Sequence, residues 1–169
     1  QKELDKKSAL LVASVPNRFY LTGFETSDGY VLITKHAAVF LIDFRYVEKA
    51  KETVKSCDVQ LSVSPMAEIR ALCEQHGIAH LYVENDYVSM SLQKDLAAAV
   101  KPTEIVADDR FDTLLRDMRS VKNETELSLM QQAQKLTDDT FSYIVERIEA
   151  GRTEREVMLD MEFYMRRLG

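Results

Sequence analysis

Tyr30-Val31-Leu32-Ile33-Thr34-Lys35-His36-Ala37-Ala38-Val39-Phe40-Leu41-Ile42-Asp43 contains two apolar, β-branched and aromatic runs separated by Lys35-His36-Ala37. The pattern predicts a hairpin of two strands, Tyr30 to Thr34 and Ala38 to Asp43. Upstream, Ala9 to Ser14 (ALLVAS) is a short apolar run of the buried-strand type, with turn chemistry at Pro16-Asn17. Downstream, Val47, Ala50 and Val54 fall at helical spacing, and Val59 to Val63 returns to period two. Ser64-Pro65 then supplies an N-cap residue and a first-turn proline. Met66, Ile69, Leu72 and Cys73 follow on one face, and Gly77 is the stop. Leu81 to Val83 reads as a strand, Ser89 to Val100 as an Ala-rich helix, Glu104 to Ala107 as a last strand and Phe111 to Met118 as a helix. Strands and helices that alternate after an opening hairpin predict an α/β domain with a mixed sheet.

The last fifty or so residues change character. Asn123 with Glu126 forms a capping box ahead of a long helix whose stripe is Leu127, Met130, Ala133, Leu136, Thr140, Ile144, Val145 and Ile148, closed by Gly151. Thr153 with Glu156 opens another helix carrying Val157, Met158, Met161, Met165 and Leu168. No strand follows. Two apolar helical faces need a cover, from the α/β domain, from a partner or from a chain that continues; residues 1–120 are expected to form one domain and residues 121–169 the incomplete opening of a second.

Composition narrows the class. At 46% hydrophobic and 30% charged residues, with 5 Gly and 3 Pro among 169, the chain has the apolar content that offsets ordering entropy. Twenty-two basic against 28 acidic residues gives a net charge of -6, with no basic face, so nucleic acid is not an expected partner. No apolar run reaches the roughly 20 residues of a membrane span. Gln1-Lys2-Glu3 opens no signal-peptide core, and Cys57 and Cys73 are unpatterned, which together predict a cytoplasmic setting with free thiols.

Complete catalytic signatures are missing. There is no GxGxxG, Walker loop, GxSxG elbow or HExxH. His36 reads as a solvated turn residue. His76 suits the last turn of a helix, and Gly77 separates it from His80, which spoils an i, i+4 ligand pair. Asp108-Asp109 and Asp138-Asp139 read as solvated surface. The stretch that stands out is Pro16-Asn17-Arg18-Phe19-Tyr20-Leu21-Thr22-Gly23-Phe24, followed by Asp28-Gly29 and by Asp43-Phe44-Arg45-Tyr46. Such a cluster suits a binding surface and equally a capped core corner.

The run NRFYLTGF, the Asp43-x-Arg45-Tyr46 strand end, and Arg119-x-Val121-Lys122-Asn123-x-x-Glu126-Leu127 with Ala133 together resemble the amino-terminal domain of the Xaa-Pro peptidases: prolidase, aminopeptidase P and creatinase. Gly151-Arg152-Thr153-Glu154-Arg155-Glu156-Val157 is similar to that family's turn between the first two helices of its catalytic domain. The resemblance implies a small mixed α/β domain ahead of a "pita-bread" domain with two divalent metals, manganese, cobalt or zinc, held by two Asp, one His and two Glu. None of those ligands corresponds to a residue up to Gly169. This segment is therefore expected to carry no cofactor, bind no stoichiometric metal and cleave no peptide, while the full-length parent acts on short proline-containing peptides in the cytoplasm.

The resemblance also implies a homodimer in which a loop of this domain approaches the neighbour's active site. The matching loop is Phe24-Glu25-Thr26-Ser27-Asp28-Gly29, flanked by Tyr20 and Arg45. Asp28 would face the peptide's free amine and Arg45 would brace the loop; alternatively Asp28-Gly29 is only a hairpin entrance and Arg45 an internal salt bridge. Two further classes stay open: a non-catalytic peptide- or protein-binding module on a peptidase-like scaffold, and a free-standing oligomerisation domain.

Overall fold

Both faces of the central strands are apolar, and a computed structural model, which describes residues 1–169, shows where each face goes. The strands β1 (Ser8–Val12), β2 (Tyr30–Thr34), β3 (Ala38–Ile42), β4 (Asp58–Leu61), β5 (His80–Val83) and β6 (Glu104–Val106) form one mixed sheet in the order β4-β3-β2-β1-β5-β6. β1–β2 and β2–β3 pair antiparallel, which is the hairpin and its neighbour; β1–β5, β5–β6 and β3–β4 pair parallel. Helices α1 (Val15–Thr22), α2 (Val47–Thr53), α3 (Pro65–His76), α4 (Met90–Ala99) and α5 (Arg110–Ser120) connect them.

Period-two side-chain direction divides the core into two layers. Ala9, Leu11, Leu32, Val39, Leu41, Leu81 and Val83 pack with Ile69, Leu72 and Cys73 of α3 and Leu96 of α4. Leu10, Val12, Val31, Phe40 and Ile42 face the other way, onto Val47 and Ala50 of α2 and Phe111 and Leu115 of α5. A strand buried on both faces has no polar positions to alternate, which is why these runs read as continuously apolar. The mixed α/β sheet expected from the sequence is the architecture found.

Local chemistry sets the ends. α3 stops at Gly77, which adopts the left-handed conformation, φ 62°, while its N–H bonds the carbonyl of Glu74. Ser89 caps α4 by accepting from the Leu92 N–H at 3.2 Å. The edge strand β4 is short and carries Asp58 and Gln60 at exposed positions, a device that discourages pairing with another sheet.

One element differs from the sequence reading. Pro16-Asn17 is not a turn but the first turn of α1: Ser14 is extended (φ -67°, ψ 139°) and the proline sits where its missing N–H has no helical partner to lose. NRFYLTGF is therefore helix followed by its Gly23 cap, not a polar loop.

The chain divides into two compact units, Gln1–Arg119 and Ser120–Gly169. The second comprises α6 (Glu124–Val145) and α7 (Glu154–Leu168), each opened by a complete capping box, at Asn123/Glu126 and Thr153/Glu156. α6 ends at Val145 rather than running on to Gly151, which occupies a turn at φ 98°. Tyr143 and Tyr164 stack with ring centroids 3.8 Å apart, and the Tyr143 hydroxyl donates to Asp160 at 2.9 Å. That bond, with Arg152 at 3.2 Å, holds the Asp160 carboxyl below the usual carboxylate range. Much apolar surface is left uncovered: Phe141, Met158 and Phe163 are each more than half exposed.

Phe40 is wholly buried and Val63 is 82% exposed. Phe40→Ala is expected to cost about 3–5 kcal/mol in chemical denaturation, and Val63→Ala no more than about 0.5 kcal/mol.

Candidate functional site

The segment between α1 and β2 is held from inside by a buried cation. Arg18 projects from α1 and is only 3% exposed. Its Nη1 donates to the carbonyls of Ala13 (2.5 Å) and Gly29 (2.7 Å), and its Nη2 donates to that of Thr26 (3.0 Å). One guanidinium thus ties the end of β1 to two points of the loop. Burial lowers the Arg18 pKa, a pull opposed in part by Tyr87, Asp28 and Glu84.

The loop completes its own hydrogen bonds. The Phe24 N–H donates to the Thr22 hydroxyl (3.1 Å), which itself donates to the Arg18 carbonyl (2.7 Å). The Thr26 hydroxyl donates to the Asp28 carbonyl and accepts from the Asp28 N–H (3.0 Å), and the Gly29 N–H donates to the Asp28 carboxyl (2.7 Å). Gly29 is obligatory: at φ 118° a Cβ there would lie 2.7 Å from the Leu41 carbonyl oxygen and 3.1 Å from the Phe40 ring.

The residues singled out from the sequence fall into two places. Asp28 is exposed and shares a small cavity of about 160 Å³ with Asp43, Tyr30 and Ser62. Arg45 lies at this corner, its Nη2 2.5 Å from the Asp43 carboxylate and its guanidinium 5.2 Å from the centre of the Tyr46 ring. Ser27 and Tyr46 pair their hydroxyls at 3.2 Å. Arg45 is thus engaged in an exposed salt bridge, which lowers the Asp43 pKa and contributes little to stability. Phe24 is half-buried against the α2/α5 layer. Tyr20 belongs to another contact, donating from its hydroxyl to the Met118 carbonyl of α5 at 3.0 Å.

Glu84 was not visible in the sequence as a site residue, yet it is the most heavily bonded side chain of this region. It follows β5, is 1% exposed, and accepts from the Ala13 N–H (2.5 Å), the Ser14 N–H (2.8 Å), the Ser14 hydroxyl (2.5 Å) and the Asn17 amide (2.6 Å). Four donors meet one acceptor-only group at the start of α1, where the helix dipole also favours negative charge. The only outward sign was a charged residue directly after an apolar strand. Only the helical form of NRFYLTGF explains how Arg18 turns inward.

No group of three or more His, Cys, Asp or Glu side chains is arranged to hold a metal ion. Cys57 and Cys73 are free, and burial pushes the Cys73 thiol up to about 11, away from reactivity.

Residues 2–121 match the creatinase/prolidase N-terminal domain. An uncharacterized peptidase of Bacillus subtilis is 30% identical over 161 residues, covering 95% of this chain and 45% of the relative. The Xaa-Pro dipeptidase of Pyrococcus horikoshii is 28% identical over 173 residues, covering 98% and 46%. The solved Xaa-Pro dipeptidase from Bacillus anthracis superposes with a TM-score of 0.88 at 28% identity, over 95% of this chain and 44% of that one. The chain spans about half the length of the curated relatives it matches.

Replacing Glu84 by Gln turns an –NH₂ toward existing donors. Glu84→Gln is expected to cost about 3 kcal/mol, read as a lower denaturation midpoint.

Proposed function

Because the chain belongs to the creatinase/prolidase N-terminal domain family, we propose that it is the amino-terminal, substrate-access part of an Xaa-Pro dipeptidase or aminopeptidase that acts as a homodimer. The observation that carries the reading is the ordered match: 95% of this chain aligns with less than half of a peptidase relative and of a dipeptidase structure. Family metals, when bound in such enzymes, activate water for attack on the bond before proline. No residue of this chain is assigned to them.

What this chain contributes is position and exclusion of water. Residues 23–29 form a surface loop whose backbone is fixed by Arg18, so Asp28 is presented without the ordering cost that a floppy loop would add on binding. In the dimer, Asp28 faces the free amine of a short peptide bound to the neighbouring subunit. Phe24 and Tyr20 set the loop on its scaffold, and Arg45 braces it through Asp43. The uncovered faces of α6 and α7 suit the opening helices of the larger catalytic domain, which supplies their cover.

In the full-length protein, Asp28→Ala is expected to raise KM for an Xaa-Pro dipeptide about tenfold with a smaller change in kcat, the loss of one charged contact. The 169-residue chain alone is expected to show no turnover. Unchanged kinetics in Asp28→Ala would reject the loop's role, and a full-length protein that binds such peptides without cleaving them would make it a binding module.

A further inference from the structure

A second site lies on the other side of α1. β1 and β5 are adjacent and parallel, but the chain leaves them in opposite directions. From β1 it enters α1, whose Leu21 packs in the α2/α5 layer; from β5 it enters α4, whose Leu96 packs in the α3 layer. Where connections diverge in this way, the carboxyl ends of the two strands open a crevice, and open α/β sheets bind their ligands there. Here the crevice is a cavity of about 310 Å³ whose lining includes Asn17, Asp86, Tyr87, Arg116 and Arg119.

Two of these residues bring polar atoms that are buried and have no hydrogen-bond partner: the acceptor Asn17 Oδ1 and the donor Arg119 Nε. Such atoms are rare in folded proteins, because each carries its desolvation cost uncompensated. The orientation of Asn17 is not arbitrary. Its amide nitrogen donates to Glu84 at 2.6 Å, and an acceptor-only carboxylate could not take the oxygen instead.

The surrounding charges select the ligand. Glu84 and Asp112 line the cavity, but their carboxyl oxygens are occupied by protein donors: Asp112 accepts from the N–H groups of Asn85 (2.9 Å) and Asp86 (3.2 Å). Toward a ligand the walls offer the Arg119 guanidinium, the exposed Asp86 carboxylate and Tyr87, beside the unpartnered Asn17 oxygen, while Arg116 already donates to the Thr113 hydroxyl at 3.1 Å. Three carboxylates against two guanidiniums disfavour a phosphate or other multiply charged anion, and the guanidiniums disfavour a simple cation. An unfilled donor and an unfilled acceptor on two residues that line one small cavity call for a molecule with both functions.

We propose that this crevice binds a small zwitterion, a free amino acid or a dipeptide, with its carboxylate on Arg119 and its ammonium toward Asn17 Oδ1 and Asp86. The site is distinct from the Asp28 loop and stands whether or not the parent cleaves peptides.

The test is a ¹⁵N NMR titration of the 169-residue chain with alanine and with alanylalanine, using acetate and ethylamine as controls. The expected result is saturable shifts at the Asn17 and Tyr87 amides and at Arg119 Nε–H, with an affinity of about 1 mM for so small a ligand. Neither control should reproduce them at equal concentration. Arg119→Gln should weaken binding about tenfold. Tyr87→Phe, at a position 53% exposed and so safe for folding, should weaken it by a smaller factor. Overturning results are the absence of saturable shifts in the wild-type chain, equal shifts with acetate alone, which would make it a plain anion site, or full affinity in folded Arg119→Gln.

Discussion

The Arg18 guanidinium, buried within the first unit, donates to the carbonyls of Ala13, Thr26 and Gly29 and pairs with no carboxylate. A charge in that position is costly unless the groups around it are fixed where its protons point. The constraint therefore runs in both directions. The loop holds the cation in a low-dielectric setting, and the cation dictates the path of the loop from α1 to β2. Glu84 does the reciprocal work for the amino end of α1, collecting the Ala13 and Ser14 N–H groups that β1 leaves behind. Between them, one cation and one anion determine where α1 begins, how it leaves the sheet and which side chains its two ends present.

That arrangement explains how one short helix serves two surfaces. Beyond its carboxyl end lies the loop carrying Asp28, closed by a glycine that no other residue can replace without striking the Leu41 carbonyl. At its amino end lies the crevice bordered by Asn17, Arg116 and Arg119. A substitution that shifts α1 would be felt at both, although no side chain belongs to both.

The sheet was legible in the sequence because its chemistry is local. The apolar runs around Leu32 and Phe40, the Ser64-Pro65 start and the Gly77 stop each carry their own signal, and the capping boxes at Asn123 and Thr153 appear as spaced. α1 was misread because Pro16-Asn17 is equally good turn and helix-start chemistry; the choice is made by Glu84, 67 residues from Asn17 along the chain. The candidate site was legible only in part. Asp28 and Arg45 could be named, but the pairing of Arg45 with Asp43 and the separate contact of Tyr20 with Met118 depend on side-chain direction. Arg18 and Glu84 are polar residues whose burial follows from the strand order β1-β5, which local pattern does not encode.

The most direct measurement of the central claim, that Arg18 fixes the loop, is amide hydrogen exchange on the 169-residue chain and on its Arg18→Met variant. The Asp28 and Gly29 N–H groups, bonded within the loop, are predicted to be protected in the wild type and to lose most of that protection in the variant, while the β2 and β3 amides, paired strand to strand, stay protected. Equal protection of Asp28 and Gly29 in the two proteins would contradict it.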